Sequence, residues 1–119
     1  MTLEACYAAM EGNLAQAMMV LGNEERARRY LLRFLDDPTA KLLFAALREG
    51  RMDDALRAAH TLKGLCRVLG LSRLLESCQA LTQCLREGGA HEALYAQALQ
   101  DYETAARLIA ALEERYVPA

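Results

Sequence analysis

The run Ala58-Ala59-His60-Thr61-Leu62-Lys63-Gly64, followed six residues later by Gly70, is the most informative stretch of this chain. Apolar side chains recur through it at steps of four and three residues, the spacing of one buried helix face; they are Ala55, Ala59, Leu62, Cys66 and Leu69. The stretch predicts a helix from about Met52 to Leu69, which at about 1.5 Å per residue is roughly 25 Å long.

His60 lies just off this apolar stripe, near the middle of the predicted helix. Lys63, Gly64 and Arg67 follow it at three, four and seven residues, so they share its side of the helix. Every charged residue over positions 55–75 is basic, although the whole chain has a net charge of −2. The positive charge is therefore local, and this side of the helix suits an anion.

This arrangement resembles the histidine-containing phosphotransfer (HPt) family, in which a helix carries His-x-x-Lys-Gly and a second glycine near its end. Here those residues are His60, Lys63, Gly64 and Gly70. Further residues resemble the family's neighbouring helices; they are Phe34 before the Asp36-Asp37-Pro38 break, and Leu71, Leu74, Cys78, Leu81 and Arg86 after Gly70. The resemblance extends from about Gly22 to the C-terminus.

Two positions depart from the family pattern. Thr82 stands where many members have a long polar side chain that reaches toward the histidine, and by alignment it faces His60. Arg51 occupies the position at the start of the helix where an acidic or amide cap is usual. The departure at Thr82 affects the hydrogen bonding of the His60 imidazole, but His60 stays the candidate histidine.

The resemblance implies that His60 holds a phosphoryl group in transit between aspartates of response-regulator receiver domains. An imidazole is largely uncharged at neutral pH, so one ring nitrogen has a free lone pair that can attack an aspartyl phosphate. The resemblance also implies the residues that contact the phosphoryl group or the partner, and these are Lys63, Gly64, Arg67, Thr82 and Arg86. Lys63 can partly neutralise the phosphoryl charge, and the missing side chain of Gly64 leaves room for the partner's active-site rim.

The same resemblance implies a phosphoryl carrier rather than an enzyme, because the partner receiver or kinase domain supplies the catalysis. The expected partners are receiver domains and a hybrid histidine kinase, with neither nucleic acid nor membrane among them. We expect no cofactor on this chain, and a divalent metal on the partner receiver domain only. We also expect a monomer, since the histidine face must remain free and no sustained extra apolar seam is present.

Two other functions stay open at this level. The chain could be a helical interaction module that binds a receiver domain without phosphotransfer, although His60, Lys63 and Gly64 together count against that function. It could also be part of a histidine kinase's dimerising helical hairpin, but that family follows its histidine with an acidic residue. A metal site is not predicted, because His60 and His91 lie on separate segments without carboxylates at ligand spacing.

The composition predicts one helical domain. With 119 residues, of which 54% are hydrophobic, the chain can cover a single core, and no linker-like tract divides it. Cys6, Cys66, Cys78 and Cys84 lack C-x-x-C spacing, so free thiols are expected, with Cys66 and Cys78 in the core. No signal peptide or apolar membrane span is evident, which predicts a cytoplasmic protein.

The predicted architecture is an all-α, antiparallel, up-down-up-down four-helix bundle over residues 22–117, covered by helical segments in residues 1–21. Glycine, asparagine and proline positions place the predicted helices at 3–10, 14–21, about 24–35, after Pro38 to Gly50, about 52–69, after Ser72 to Gly88, and about 91–116. The first two segments are alternatively one kinked helix. Ser72 is expected to cap its helix, and the inward residues before Gly50 are expected to include Tyr30, Leu31, Phe34, Leu35, Leu42, Leu43, Ala46 and Leu47.

Overall fold

The computed structural model of the chain describes residues 1–114, and it forms seven α-helices over that range. In chain order they are α1 (Leu3–Met10), α2 (Leu14–Leu21), α3 (Glu24–Asp36), α4 (Thr39–Arg48), α5 (Met52–Leu69), α6 (Ser72–Glu87) and α7 (Glu92–Glu114). No strand occurs within the described residues, so the predicted all-α fold is confirmed. None of these helices has the length and apolar composition that crossing a membrane requires.

The helices close into a four-sided bundle. α5 packs against α6 and α6 against α7, while both α3 and α4 pack against α5 and α7. α3 and α4 therefore share the fourth side as one arm interrupted at Asp37-Pro38. Connections of two to four residues between successive helices from α4 to α7 make these neighbours antiparallel, which confirms the predicted bundle.

The N-terminal helices lie outside this bundle. α1 packs on α7, and α2 packs over α5 and α3. α1 and α2 are two separate helices and not one kinked helix, because Glu11 adopts a left-handed conformation with φ of 54° and ends α1. The division at residues 21 and 22 stays a prediction, and positions 115–117 of the predicted bundle lie outside the described residues.

Local capping explains most helix limits. Thr2, Asn13 and Asn23 each accept a hydrogen bond from a backbone N–H three residues later, at 2.9–3.0 Å, and so begin the first three helices. The Asp37 carboxylate accepts from the backbone N–H of Thr39 at 2.9 Å, which restarts the interrupted arm as α4. Pro38 suits this junction because it has no N–H to satisfy.

The tight turn between α5 and α6 requires Gly70. This residue has a φ of +68°, and a Cβ here would run into the carbonyl oxygen of Asn13 at the start of α2. The N–H of Leu71 closes the last turn of α5 by donating to the Cys66 carbonyl at 2.9 Å. Gly70 thus ends α5 and also permits the close approach of α2.

Not every predicted helix limit is confirmed. Ser72 is the first residue of α6 rather than its cap, because the two-residue turn places the buried Leu71 at the capping position. α7 begins at Glu92, which agrees with the predicted start at about His91. The predicted end of this helix at Tyr116 lies outside the described residues.

Two of the predicted inward residues are exposed. Tyr30 is 41% exposed and Leu42 is 57% exposed. The buried stripe of α4 runs through Ala40, Leu43 and Leu47, and Leu42 lies about 100° to one side of Leu43 around the helix. Leu42 consequently projects beside α5 instead of into the core.

The core contains both predicted cysteines. Cys66 and Cys78 have no exposed surface and no disulfide, and they meet between α5 and α6, so their predicted role as small core residues is confirmed. Aromatic rings close the other side of the bundle, where Phe44 and Tyr95 pack edge to face with centroids 5.6 Å apart. The bundle is therefore held together by apolar residues on the helix faces that the sequence predicts to be buried.

Candidate functional site

His60 lies on the outward side of α5. The predicted stripe beneath it is buried, with Ala55, Ala59, Leu62 and Cys66 at 0% exposure and Leu69 at 4%. His60 itself is exposed, and its ring makes no hydrogen bond with any residue of the described range 1–114. The imidazole is thus carried by a rigid, well-packed helix, and nothing in that range covers it.

Lys63, Gly64 and Arg67 surround the ring as the helical spacing predicts. We call these three residues and His60 the His60 face. Lys63 and Gly64 are half-buried, and Arg67 is exposed. A glycine inside a helix costs about 1 kcal/mol relative to alanine, so its presence needs a reason. A Cβ added to Gly64 would meet no atom within 4 Å, so packing inside the molecule does not provide that reason.

Gly12 differs from Gly64, because the surrounding atoms leave no room for a side chain at Gly12. A Cβ on Gly12 would lie 2.7 Å from the carbonyl oxygen of Gly70 and 2.9 Å from the Tyr7 ring. Gly12 is therefore required for the packing of α1 and α2 against the bundle. Gly64 has no such constraint, and its effect is that no side chain projects from α5 at this position beside His60.

The basic residues of α5 and α6 divide into paired and unpaired groups. Arg57 pairs with Asp54, and Arg73 pairs with Glu11 and with Asp101. No carboxylate among the described residues pairs with Lys63, Arg67 or Arg86. The free positive charge on this side of the molecule is consequently concentrated around His60, while Arg73 serves the packing of α1, α6 and α7.

Arg51, which stands where the family usually has a capping residue, forms ion pairs at the start of α5. It makes no capping hydrogen bond at the start of α5, and its guanidinium instead pairs with Glu49 at 3.1 Å and Asp54 at 2.8 Å. Arg51, and then Arg57, hold the pKa of the Asp54 carboxyl below its usual value. The helix start is thus stabilised by ion pairs and by two acidic residues in its first turn.

Thr82, predicted to contact the phosphoryl group or the partner, is not accessible to either in this structure. Thr82 is 1% exposed, and its hydroxyl donates to the Cys78 carbonyl at 2.7 Å within α6. Its place on the inward side of α6 explains this, because a short β-branched side chain there reaches its own helix backbone first. Arg86, in the last turn of α6, is exposed.

An exposed polar row on α6 was missed as a group. Arg73 and Ser77 bond to Asp101 of α7 and so mark the α7 side of α6. Gln79, Gln83 and Arg86 recur at steps of four and three on the opposite side, toward α5, and all are exposed. We call these three residues the α6 flank.

The α6 flank lies beside His60. His60 is ten residues before Gly70 and Ala80 is ten residues after it, which puts both at one level of the antiparallel pair. The helical period of the polar residues was the signal that could have identified this flank.

Over residues 1–114, no three histidine, cysteine or acidic side chains converge closely enough to hold a metal ion.

Comparison with known proteins gives one finding. A family model described as Hpt domain matches residues 3–115, which is nearly the whole chain. Neither the curated proteins nor the solved structures that were compared include a match.

Proposed function

Because the chain belongs to the Hpt domain family, we propose that it carries a phosphoryl group on His60 between the aspartates of receiver domains in a phosphorelay. Hpt domains act in histidine phosphotransfer of two-component signalling, as phosphocarrier modules that interact with response-regulator receiver domains.

In the proposed transfer, a ring nitrogen of His60 attacks the phosphorus of the receiver's aspartyl phosphate. The new N–P bond forms as the O–P bond to the aspartate breaks, and the aspartate leaves as a carboxylate. The same steps in reverse order pass the group to a second receiver. The chain supplies a positioned nucleophile, and the receiver is expected to supply the divalent cation and the acidic pocket.

The observation that carries the proposal is the exposure of His60 in the middle of a packed helix, above a glycine that leaves open space. Lys63 and Arg67 have no carboxylate partner in the described part of the chain, so their charge is available to a phosphoryl group. Thr82 is left out of the proposed site because its hydroxyl is buried.

Phosphoryl transfer from labelled receiver domains would test the proposal. Wild-type protein and His60→Gln are incubated with phosphorylated receivers, and acid-labile, base-stable phosphate is measured on each. We expect label on wild type and none on His60→Gln. His91→Gln is the matched control, because it removes the other histidine and should keep the label.

The proposal fails if His60→Gln is labelled as strongly as wild type. It also fails if receivers bind the wild-type protein but label neither form. The second result would indicate the interaction module instead.

A further inference from the structure

The His60 face has different surfaces on its two sides. On one side lies the polar α6 flank. On the other side, α4 and α5 enclose an open groove of about 420 Å³, which we call the α4 groove. Leu42 and Thr39 of α4 line it, together with Arg57, Ala58 and Thr61 of α5. Thr61 points about 100° around α5 from His60, so the groove lies on the flank of α5 that adjoins the His60 face.

Leu42 gives the α4 groove an apolar wall. It is 57% exposed, whereas its neighbours Leu43 and Phe44 are at most 3% exposed. Other large apolar side chains are also exposed. Met19, at 88%, lies on α2, and Val68, at 41%, lies on α5 eight residues after His60; neither lines this groove. Leu42 is the one of these three that gives the groove its apolar wall.

The charges at the rim of the groove are mostly satisfied within the chain. Asp54 pairs with both Arg51 and Arg57, and Arg51 also pairs with Glu49, so two positive and two negative side chains leave no net charge there. A partner that enters the groove meets an apolar wall and a rim whose charges are paired. Such a surface fits an apolar side chain better than a charged segment.

Interface size connects the groove to the proposed function. A stable protein partner covers about 800 Å² on each side, which is a patch about 28 Å across. A receiver that places its aspartate against His60 therefore extends past α5 onto a neighbouring helix. Burial of apolar surface drives association, and Leu42 offers that surface on the α4 side, while the α6 flank offers glutamine and arginine.

We propose that the receiver domain docks with an apolar side chain in the α4 groove against Leu42, which makes Leu42 an affinity-determining residue for the relay partner. This inference rests on the proposed function of His60. Leu42 does not touch the reacting atoms, so its contribution is to binding and not to the chemical step.

The test separates binding from chemistry. His60 is first phosphorylated with phosphoramidate, a small donor that needs no docking surface; its P–N bond breaks, ammonia leaves and the ring N–P bond forms. The loaded protein is then mixed with increasing concentrations of a purified receiver domain that accepts from wild type. The receiver concentration at half-maximal rate and the maximal rate are both measured.

For Leu42→Ala, we expect the half-maximal receiver concentration to rise about tenfold, since most of a leucine side chain leaves the interface. The maximal transfer rate and the rate of loading by phosphoramidate should stay within twofold of wild type. Met19→Ala on α2 is the control and should change the half-maximal concentration less than threefold. Gln83→Ala on the α6 flank lies within the same footprint and should raise that concentration less than Leu42→Ala does. A thermal melt verifies that Leu42→Ala is folded.

Equal half-maximal concentrations for Leu42→Ala and wild type would overturn the proposal, as would a larger effect from Gln83→Ala. A fall in maximal rate with an unchanged half-maximal concentration would also overturn it. If loaded wild-type protein transfers to no receiver, the relay function itself fails. That result differs from a failure of the groove, because the latter leaves wild-type transfer intact.

Discussion

Replacing Gly64 by alanine should stabilise the protein and slow its phosphotransfer. Gly64 lies inside α5, and a Cβ at this position meets no atom within 4 Å, so the methyl group adds no steric clash. Alanine is favoured over glycine inside a helix by about 1 kcal/mol, partly because it restricts the unfolded chain. For a domain of this size, that gain corresponds to a melting temperature about 4 °C higher.

The effect on transfer has the opposite sign. A methyl group at Gly64 fills space one turn from His60, where the rim of the receiver's active site would approach. A displacement of about 1 Å can cost up to a hundredfold in a reaction that depends on alignment. We therefore expect Gly64→Ala to transfer about tenfold more slowly, and Gly64→Leu to transfer more slowly still.

Gly88→Ala is the matched control for stability. A Cβ at Gly88 also meets nothing within 4 Å, but this residue has a φ of +73°, which disfavours alanine. We expect Gly88→Ala to lower the free energy of unfolding by about 1 kcal/mol. Thermal melts followed by circular dichroism at 222 nm compare the two variants, and phosphotransfer to one receiver is timed for each.

Two results would refute this reasoning. A lower melting temperature for Gly64→Ala would contradict the open space above the helix. A stabilised Gly64→Leu that transfers at the wild-type rate would show that the low surface at this position does not serve the partner.

Three further predictions follow from buried groups. Burial raises the pKa of Tyr7 to about 12, and its hydroxyl donates to the Leu69 carbonyl at 2.6 Å. Because the folded pKa exceeds the unfolded value of about 10, this contribution to stability is complete below pH 10 and is lost as the pH rises toward 12. Urea unfolding should show that Tyr7→Phe is about 1 kcal/mol less stable at pH 7 and less sensitive to pH above 10; an equal decline in both proteins would contradict this. Thr82→Val should leave phosphotransfer within twofold of wild type, because its hydroxyl bonds to its own helix; a tenfold loss would mean that it reaches His60 after all. A thiol reagent should label Cys84 alone in the native protein and all four cysteines in denaturant, since the other three have no exposed surface; rapid native labelling of a second thiol would contradict the packing.

The features that sequence alone predicted are those with local causes. The limits of α1, α2 and α5 follow from capping side chains and from glycines within a few residues of each end. The His60 face follows from the helical period, since residues three, four and seven positions apart share a side whatever surrounds them. Family resemblance then attached a function to that face, and the match over residues 3–115 bears out the family.

Tertiary structure decided which side of each helix is covered and which charges are paired. Thr82 and Leu42 each have the opposite exposure from the one expected, since the polar Thr82 is buried and the apolar Leu42 is exposed. One helix reveals only that two residues lie on different sides, and the position of the neighbouring helices determines which side meets water. In the same way, Arg73 resembles Lys63 in the sequence, but only folding brings the carboxylates of Glu11 and Asp101 to Arg73 and leaves the charge of Lys63 free beside His60 among the described residues.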